Sequence, residues 1–145
     1  MADSPCIVWF RRDLRIDDNP ALTAAIERRA PVIPVYIHAP DEEGEWAPGG
    51  ASRWWRHHAL SSLAEALESL GLPLIVRRGS SLDTLRALVE ETGAGAVFWN
   101  RRYEPAIIER DTGIKQALRD DGLEAWSGNA GLIWEPHQVE NKQGK

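Results

Sequence analysis

Two charged turns are the stretches of this sequence best equipped for chemistry. Each follows directly on a short apolar run. The first runs from Arg11 through Arg12, Asp13 and Arg15 to Asp18, behind Ile7, Val8, Trp9 and Phe10. The second holds Asn100, Arg101, Arg102, Tyr103, Glu104 and Pro105, behind Val97, Phe98 and Trp99. Guanidinium forks donate in planar pairs, a side-chain amide donates and accepts, and a carboxylate only accepts. Such a set can orient a polar or anionic ring. It offers no nucleophile, since no serine, histidine and carboxylate stand at a recognisable catalytic motif, and no catalytic residue is assigned. The same residues have a purely structural use, in which Asp13 and Glu104 neutralise the arginines and clamp the turns.

Other candidates are sparser. His57 and His58 are adjacent and cannot share one helix face, and no carboxylate or cysteine spacing beside them fits a metal site. No metal ligand is assigned. Cys6 is the one cysteine, which permits no internal disulfide and reads as a small buried apolar residue. Gly79-Ser80-Ser81 stands where a helix start could hold an anion. It lacks the spacing of a phosphate-binding or dinucleotide loop and reads as a cap.

The elements that must position these residues alternate strictly. Strands are expected at 7–10, 32–37, 74–76, 94–100 and 123–126, where apolar and β-branched residues cluster. Between them lie four helices. Asn19 and Pro20 cap and open the first, with Leu22, Ala25 and Ile26 facing inward. Ser52 is expected to cap the second, whose stripe is Leu60, Leu63, Leu67 and Leu70 and which Gly71 ends. The third presents Leu82, Leu85, Leu88 and Val89 and stops at Gly93. The fourth uses Ile107, Ile108, Ile114 and Leu118. Trp54 and Trp55 share a first turn about 100° apart, so only one can face the core squarely. The acidic stretch 40–50 reads as an exposed loop, and 127 onward as loop with Leu132, Ile133 and Trp134 as an apolar anchor. Strict βα alternation predicts an α/β fold, a three-layer, doubly wound parallel sheet.

Composition bounds the partners. With 145 residues, 43% apolar and 27% charged, one folded domain is expected. A net charge of −5 argues against a general phosphate-binding surface, although Arg11, Arg12, Arg53, Arg56, Arg101 and Arg102 can form a local basic patch. Seven tryptophans are many for this length; packing accounts for most, and stacking on a ligand for two at most. No apolar run approaches a membrane span and the start is no signal peptide, so no membrane contact and a cytoplasmic location are expected.

WFRRDLR, followed two residues later by DNPAL, resembles the amino-terminal signature of the DNA photolyase and cryptochrome family. GGASRWW at 49–55 and FWNRRYEP at 98–105 resemble two further family blocks in the same order. The resemblance implies a Rossmann-like antenna domain over 1–130, a five-stranded sheet in the order 3-2-1-4-5, and 131–145 as the start of a linker. The linker would lead to a carboxyl-terminal helical domain, outside this chain, that binds FAD. In that strand order the turns after strands one and four bracket one crevice, beside the loop after strand two. Candidate pigment contacts are then Arg11, His38, Arg53, Trp55, Asn100, Arg102 and Glu104.

The pigment implied is a deazaflavin, flavin mononucleotide (FMN) or a folate. Arg53 and Glu104 match residues of deazaflavin-binding members, which carry an aspartate where Arg102 stands. Ala106 and Ile107 occupy positions where folate-binding members resembling the enteric enzyme carry Asn-Glu. GGASRWW is similar to the branch shared by plant cryptochromes and related bacterial photolyases, where some members place folate differently and some carry no antenna at all. By this resemblance the parent protein is a monomeric light-driven lyase. It would repair ultraviolet-induced pyrimidine dimers in damaged DNA by electron transfer from FAD, and this chain alone would not. The alternatives are the same domain of a cryptochrome photoreceptor, or a stand-alone nucleotide-binding α/β module.

Overall fold

Nine elements alternate through the computed structural model, which describes residues 4–42 and 49–129. They are β1 (Cys6–Phe10), α1 (Pro20–Glu27), β2 (Val32–His38), α2 (Gly50–Ser69), β3 (Ile75–Arg78), α3 (Ser81–Thr92), β4 (Ala96–Asn100), α4 (Pro105–Asp120) and β5 (Glu124–Gly128). A single 3₁₀ turn, Pro40–Glu42, follows β2. All strands pair in parallel, in the order β3-β2-β1-β4-β5. The order reverses between β1 and β4, as the resemblance implies.

Every residue of β1 and β4 is buried, because helices cover both faces of the sheet centre. Side-chain alternation splits the core in two. Ile7, Trp9, Val97 and Trp99 point to the α3–α4 side, where Leu85, Leu88, Ile114 and Leu118 meet them. Cys6, Val8, Phe10 and Phe98 point to the other side, against Leu22, Ala25, Leu63 and Leu67 of α1 and α2. Trp9 and Trp99 pack edge-on at 5.5 Å, and Trp126 lies against Phe98, so three tryptophans serve packing. Burial pushes the Cys6 thiol up to about 12, which keeps it a neutral apolar group.

Local chemistry sets the helix ends. Asn19 Oδ1 accepts from the Leu22 amide with Pro20 in the first turn, and Ser80 Oγ accepts from the Asp83 amide. Gly71 and Gly93 hold φ of 76° and 71° behind α2 and α3, a conformation other residues adopt only under strain.

Several expected positions shift. α2 is capped by the backbone of Gly49, so Ser52 lies inside its first turn, and neither Trp54 nor Trp55 faces the core. Leu70 occupies the C-cap, where the chain leaves helical phase, and is exposed. Ile26 is exposed because α1 turns Ala21, Leu22 and Ala25 inward; Ile108 is exposed because α4 turns Ile107, Asp111, Ile114 and Leu118 inward. β3 is displaced toward its carboxyl end, where Arg78 pairs with His38, and β5 extends through Ser127 to Gly128, opposite Asn100. Residues 43–48 of the acidic stretch, the 131–145 linker and the Leu132–Ile133–Trp134 anchor lie outside the described residues.

Leu63→Ala and Leu67→Ala are each expected to cost about 2–5 kcal/mol, the range for truncating a buried leucine. Leu70→Ala should stay within about 0.5 kcal/mol, as an exposed site does. Denaturant melts of the three variants check this; equal losses would refute the placement of α2.

Candidate functional site

The carboxyl ends of the strands carry a buried ionic network. Arg11 is 6% exposed, and its Nη1 donates to Asp111 Oδ2 while its Nη2 donates to the Asn100 carbonyl. Its guanidinium also lies over the Trp9 ring, 4.8 Å from the centroid. Burial pushes its pKa down and Asp111 opposes that, so the charge is retained by its partner. Arg110 sits on the same indole at 5.3 Å, bonds Asp111 Oδ1 and reaches Glu42 Oε2 at 3.1 Å. Glu42 in turn accepts from the Ser81 amide at 2.8 Å and from Ser81 Oγ at 2.6 Å, placing a carboxylate at the positive end of α3. The 3₁₀ turn is thereby fastened to α3, so Glu42 of the acidic stretch is a half-buried anchor instead of loop surface.

Asn100 does a different job from the one expected of it. Its Nδ2 donates to Asp13 Oδ2 and Asn19 Oδ1, and its Oδ1 accepts from the Ala21 amide. Asp13 Oδ1 also accepts from the Arg11 amide. These bonds fill the space between the β1 and β4 turns and fix the start of α1. The crevice between strands one and four is therefore closed by protein atoms, and the open cavity lies to one side, over the ends of β1, β2 and β3.

That cavity has a volume of about 310 Å³. Trp9, Tyr36, Ile37, His38, Ala39, Pro40 and Ser81 line it together with seven arginines. Arg11 and Arg12 come from the β1 turn, Arg53 and Arg56 from α2, Arg78 from β3, and Arg102 and Arg110 from the β4 turn and α4. Of the predicted contacts, Arg11, His38, Arg53 and Arg102 meet here. Trp55 lines an adjoining groove of about 580 Å³ with Leu14, Arg15, Ser52 and Ala59, which shares Arg11, Arg12 and Arg56 with the cavity. Glu104 stands behind the lining, bonded to Arg12 at 2.8 Å and Arg102 at 3.2 Å. Burial opposes its charge, but a backbone amide, Arg102 and Arg12 outweigh this and hold its carboxyl below the usual range. Arg101 turns away to bond the Ser127 carbonyl on β5 and is not part of the site.

Sequence reasoning missed Asp111, Arg110, Arg78 and Glu42. Asp111 had a signal: it stands between Ile107 and Ile114 on the apolar stripe of α4, where a charge needs a buried partner. Arg78 and Glu42 had none, because their placement follows from strand and turn ends that no periodicity marks. Among the described residues no group of three His, Cys, Asp or Glu side chains could hold a metal, and no helix is long and apolar enough to cross a membrane.

Residues 6–145 match the DNA photolyase family. The chain is 48% identical over 141 residues to the deoxyribodipyrimidine photo-lyase of Agrobacterium fabrum, covering 97% of this chain and 29% of that protein. It is 45% identical over 140 residues to cryptochrome-1 of Arabidopsis thaliana, covering 96% of this chain and 20% of that protein. The crystal structure of a class III photolyase from Agrobacterium tumefaciens superposes with a TM-score of 0.91 at 47% identity, over 98% of this chain and 29% of that one. The chain thus spans under a third of the length of the relatives it matches.

Asp111→Ala is expected to cost about 3–5 kcal/mol, because it strands the Arg11 charge in the interior. The double variant Arg11→Met/Asp111→Leu should be less destabilised than Asp111→Ala, and a double-mutant cycle of chemical melts checks this. The lowered Glu104 pKa adds stability that is complete above the ordinary glutamate value and is lost as pH falls through the folded value. Glu104→Gln should therefore flatten the acid limb of a stability–pH curve and leave stability unchanged with pH above neutrality.

Proposed function

Because the chain belongs to the DNA photolyase family, we propose that it is that family's amino-terminal light-harvesting domain and that the arginine-lined cavity holds an antenna pigment. The observation that carries this reading is the cavity itself, lined by seven arginines, with the Trp9 indole under Arg11 and Arg110, at the carboxyl ends of three parallel strands. Ligands of doubly wound folds collect at these strand ends. The donor set fits a planar, electron-rich and anionic ring: guanidiniums pair with carbonyl and anionic oxygens and stack on aromatic faces. Arg11 Nε is buried with no hydrogen-bond partner among the described residues, while its two Nη atoms are both bonded. Deazaflavin, FMN and folate all present acceptors of this kind.

The family binds FAD and an antenna chromophore. In a full-length protein of this family the pigment in this domain would pass its excitation to FAD in a carboxyl-terminal helical domain. That flavin would then reduce a pyrimidine dimer taken out of the DNA stack. The parent would be a lyase acting on damaged DNA, monomeric and cytoplasmic, and residues 131–145 would lead to that second domain. A cryptochrome photoreceptor is the second reading, favoured by the near-equal identities to the bacterial photolyase and the plant cryptochrome. The antenna cavity serves both alike.

Titration of the chain with FMN, deazaflavin and folate, followed by pigment fluorescence, is expected to show saturable binding of at least one. Arg53→Ala should weaken it by about 1–3 kcal/mol, the range for a hydrogen bond to a charged group. No saturable binding of any pigment would leave the arginines as a structural rim.

A further inference from the structure

We propose that Lys115 is a modification site, whose amine takes an acyl group from an acyl phosphate drawn in by the two arginines beside it. The site lies at the β5 edge of the sheet, away from the arginine-lined cavity over β1, β2 and β3, and is independent of what that cavity holds.

Of the 17 lysines and arginines only Lys115, Lys142 and Lys145 are lysines, and Lys115 is the one lysine among the described residues. It stands half-buried on α4, and its Nζ donates to Ser127 Oγ of β5 at 3.1 Å. Arg101, in the turn after β4, donates through Nη1 to the same hydroxyl at 3.3 Å and to the Ser127 carbonyl at 2.8 Å. Arg119 follows Lys115 by one turn of α4 and donates to the Ala125 carbonyl at 3.1 Å. The end of β5 thus gathers an ammonium and two guanidiniums. Acidic residues of the same two elements are bonded elsewhere: Asp111 to Arg11 and Arg110, Asp120 to Gln116, and Glu124 to Arg28.

These surroundings favour the free amine over the ammonium. Burial pushes the Lys115 pKa down, and Arg119 and then Arg101 push the same way. A lysine beside other cations keeps more of its amine unprotonated and so becomes a nucleophile, whereas an ordinary lysine stays charged at neutral pH. The same guanidiniums suit a phosphoryl group, which they meet in planar pairs of hydrogen bonds. An acyl phosphate joins both requirements, an electrophilic carbonyl carbon and an anion attached to it. In the step, the Lys115 nitrogen bonds to the acyl carbon and the carbon–oxygen bond to phosphate breaks. Phosphate leaves with that electron pair, and the nitrogen gives up one proton to water. The product is a neutral amide, so the charge that Arg101 and Arg119 repel is removed.

Incubation of the chain with acetyl phosphate near neutral pH, read site by site by mass spectrometry, tests this with Lys142 and Lys145 as references in the same molecule. Lys115 is expected to be acetylated several-fold faster than either. The margin should shrink in Arg119→Gln, an exposed replacement whose intact fold a thermal melt checks. Added salt should shrink it as well, by screening the attraction for the phosphate. Acetic anhydride, an uncharged donor with no phosphate to hold, should show a smaller margin than acetyl phosphate. Equal rates at the three lysines would overturn the proposal. A margin unchanged in folded Arg119→Gln, or as large with the anhydride, would also overturn it, because the arginines would then have no part in drawing the donor in.

Discussion

A single buried cation, Arg11, organises the functional edge of this domain. A guanidinium in the interior must have its charge answered, and here Asp111 answers it from α4 while the Asn100 carbonyl takes its second fork from β4. Those two bonds fix the turn after β1 against both the strand beside it and the helix below. Taking one partner away strands a charge where water does not reach, so the arrangement is held as a unit. The Trp9 indole beneath it carries Arg11 and Arg110 together and so becomes the floor of the cavity.

The position of the cavity follows from this. In doubly wound folds the reversal of strand order opens a crevice, here between β1 and β4. This chain fills it: Asn100, Asp13 and Asn19 bond across it and set the first turn of α1. The open space moves over β1, β2 and β3. There Glu42 fastens the turn after β2 to α3, and α2 supplies the far wall. The positive end of α3, an obvious anion site, is already taken by Glu42. In the proposed antenna site, ligand charge would be left to the arginine side chains.

Much of this was legible in the sequence. The strand and helix order, the Asn19 and Ser80 caps, the glycine stops at 71 and 93 and the inward faces of α2 and α3 follow from local chemistry that tertiary packing did not override. Ile26, Ile108 and Leu70 were misplaced, because apolar spacing alone does not say where a stripe is centred or where helical phase ends. The two charged turns were found, as was the pairing of Glu104 with Arg12 and Arg102, but the partner of Arg11 was not. Asp13 and Glu104 are close in sequence and drew the pairing, whereas Asp111 reaches Arg11 across the sheet edge. Long-range ionic partners depend on element packing, and no sequence spacing encodes them. For the same reason His38, Arg53 and Arg102 could be named among the residues that line the cavity while Arg78 and Arg110 could not.

The most direct test of the account is a nuclear magnetic resonance titration of the ¹⁵N-labelled chain with FMN, observing the arginine Nε–H and tryptophan indole resonances. The account predicts saturable shifts of Arg11, Arg78 and Trp9, with Arg101 at β5 unmoved. Shifts confined to residues outside the cavity, or none at concentrations where fluorescence reports binding, would contradict it.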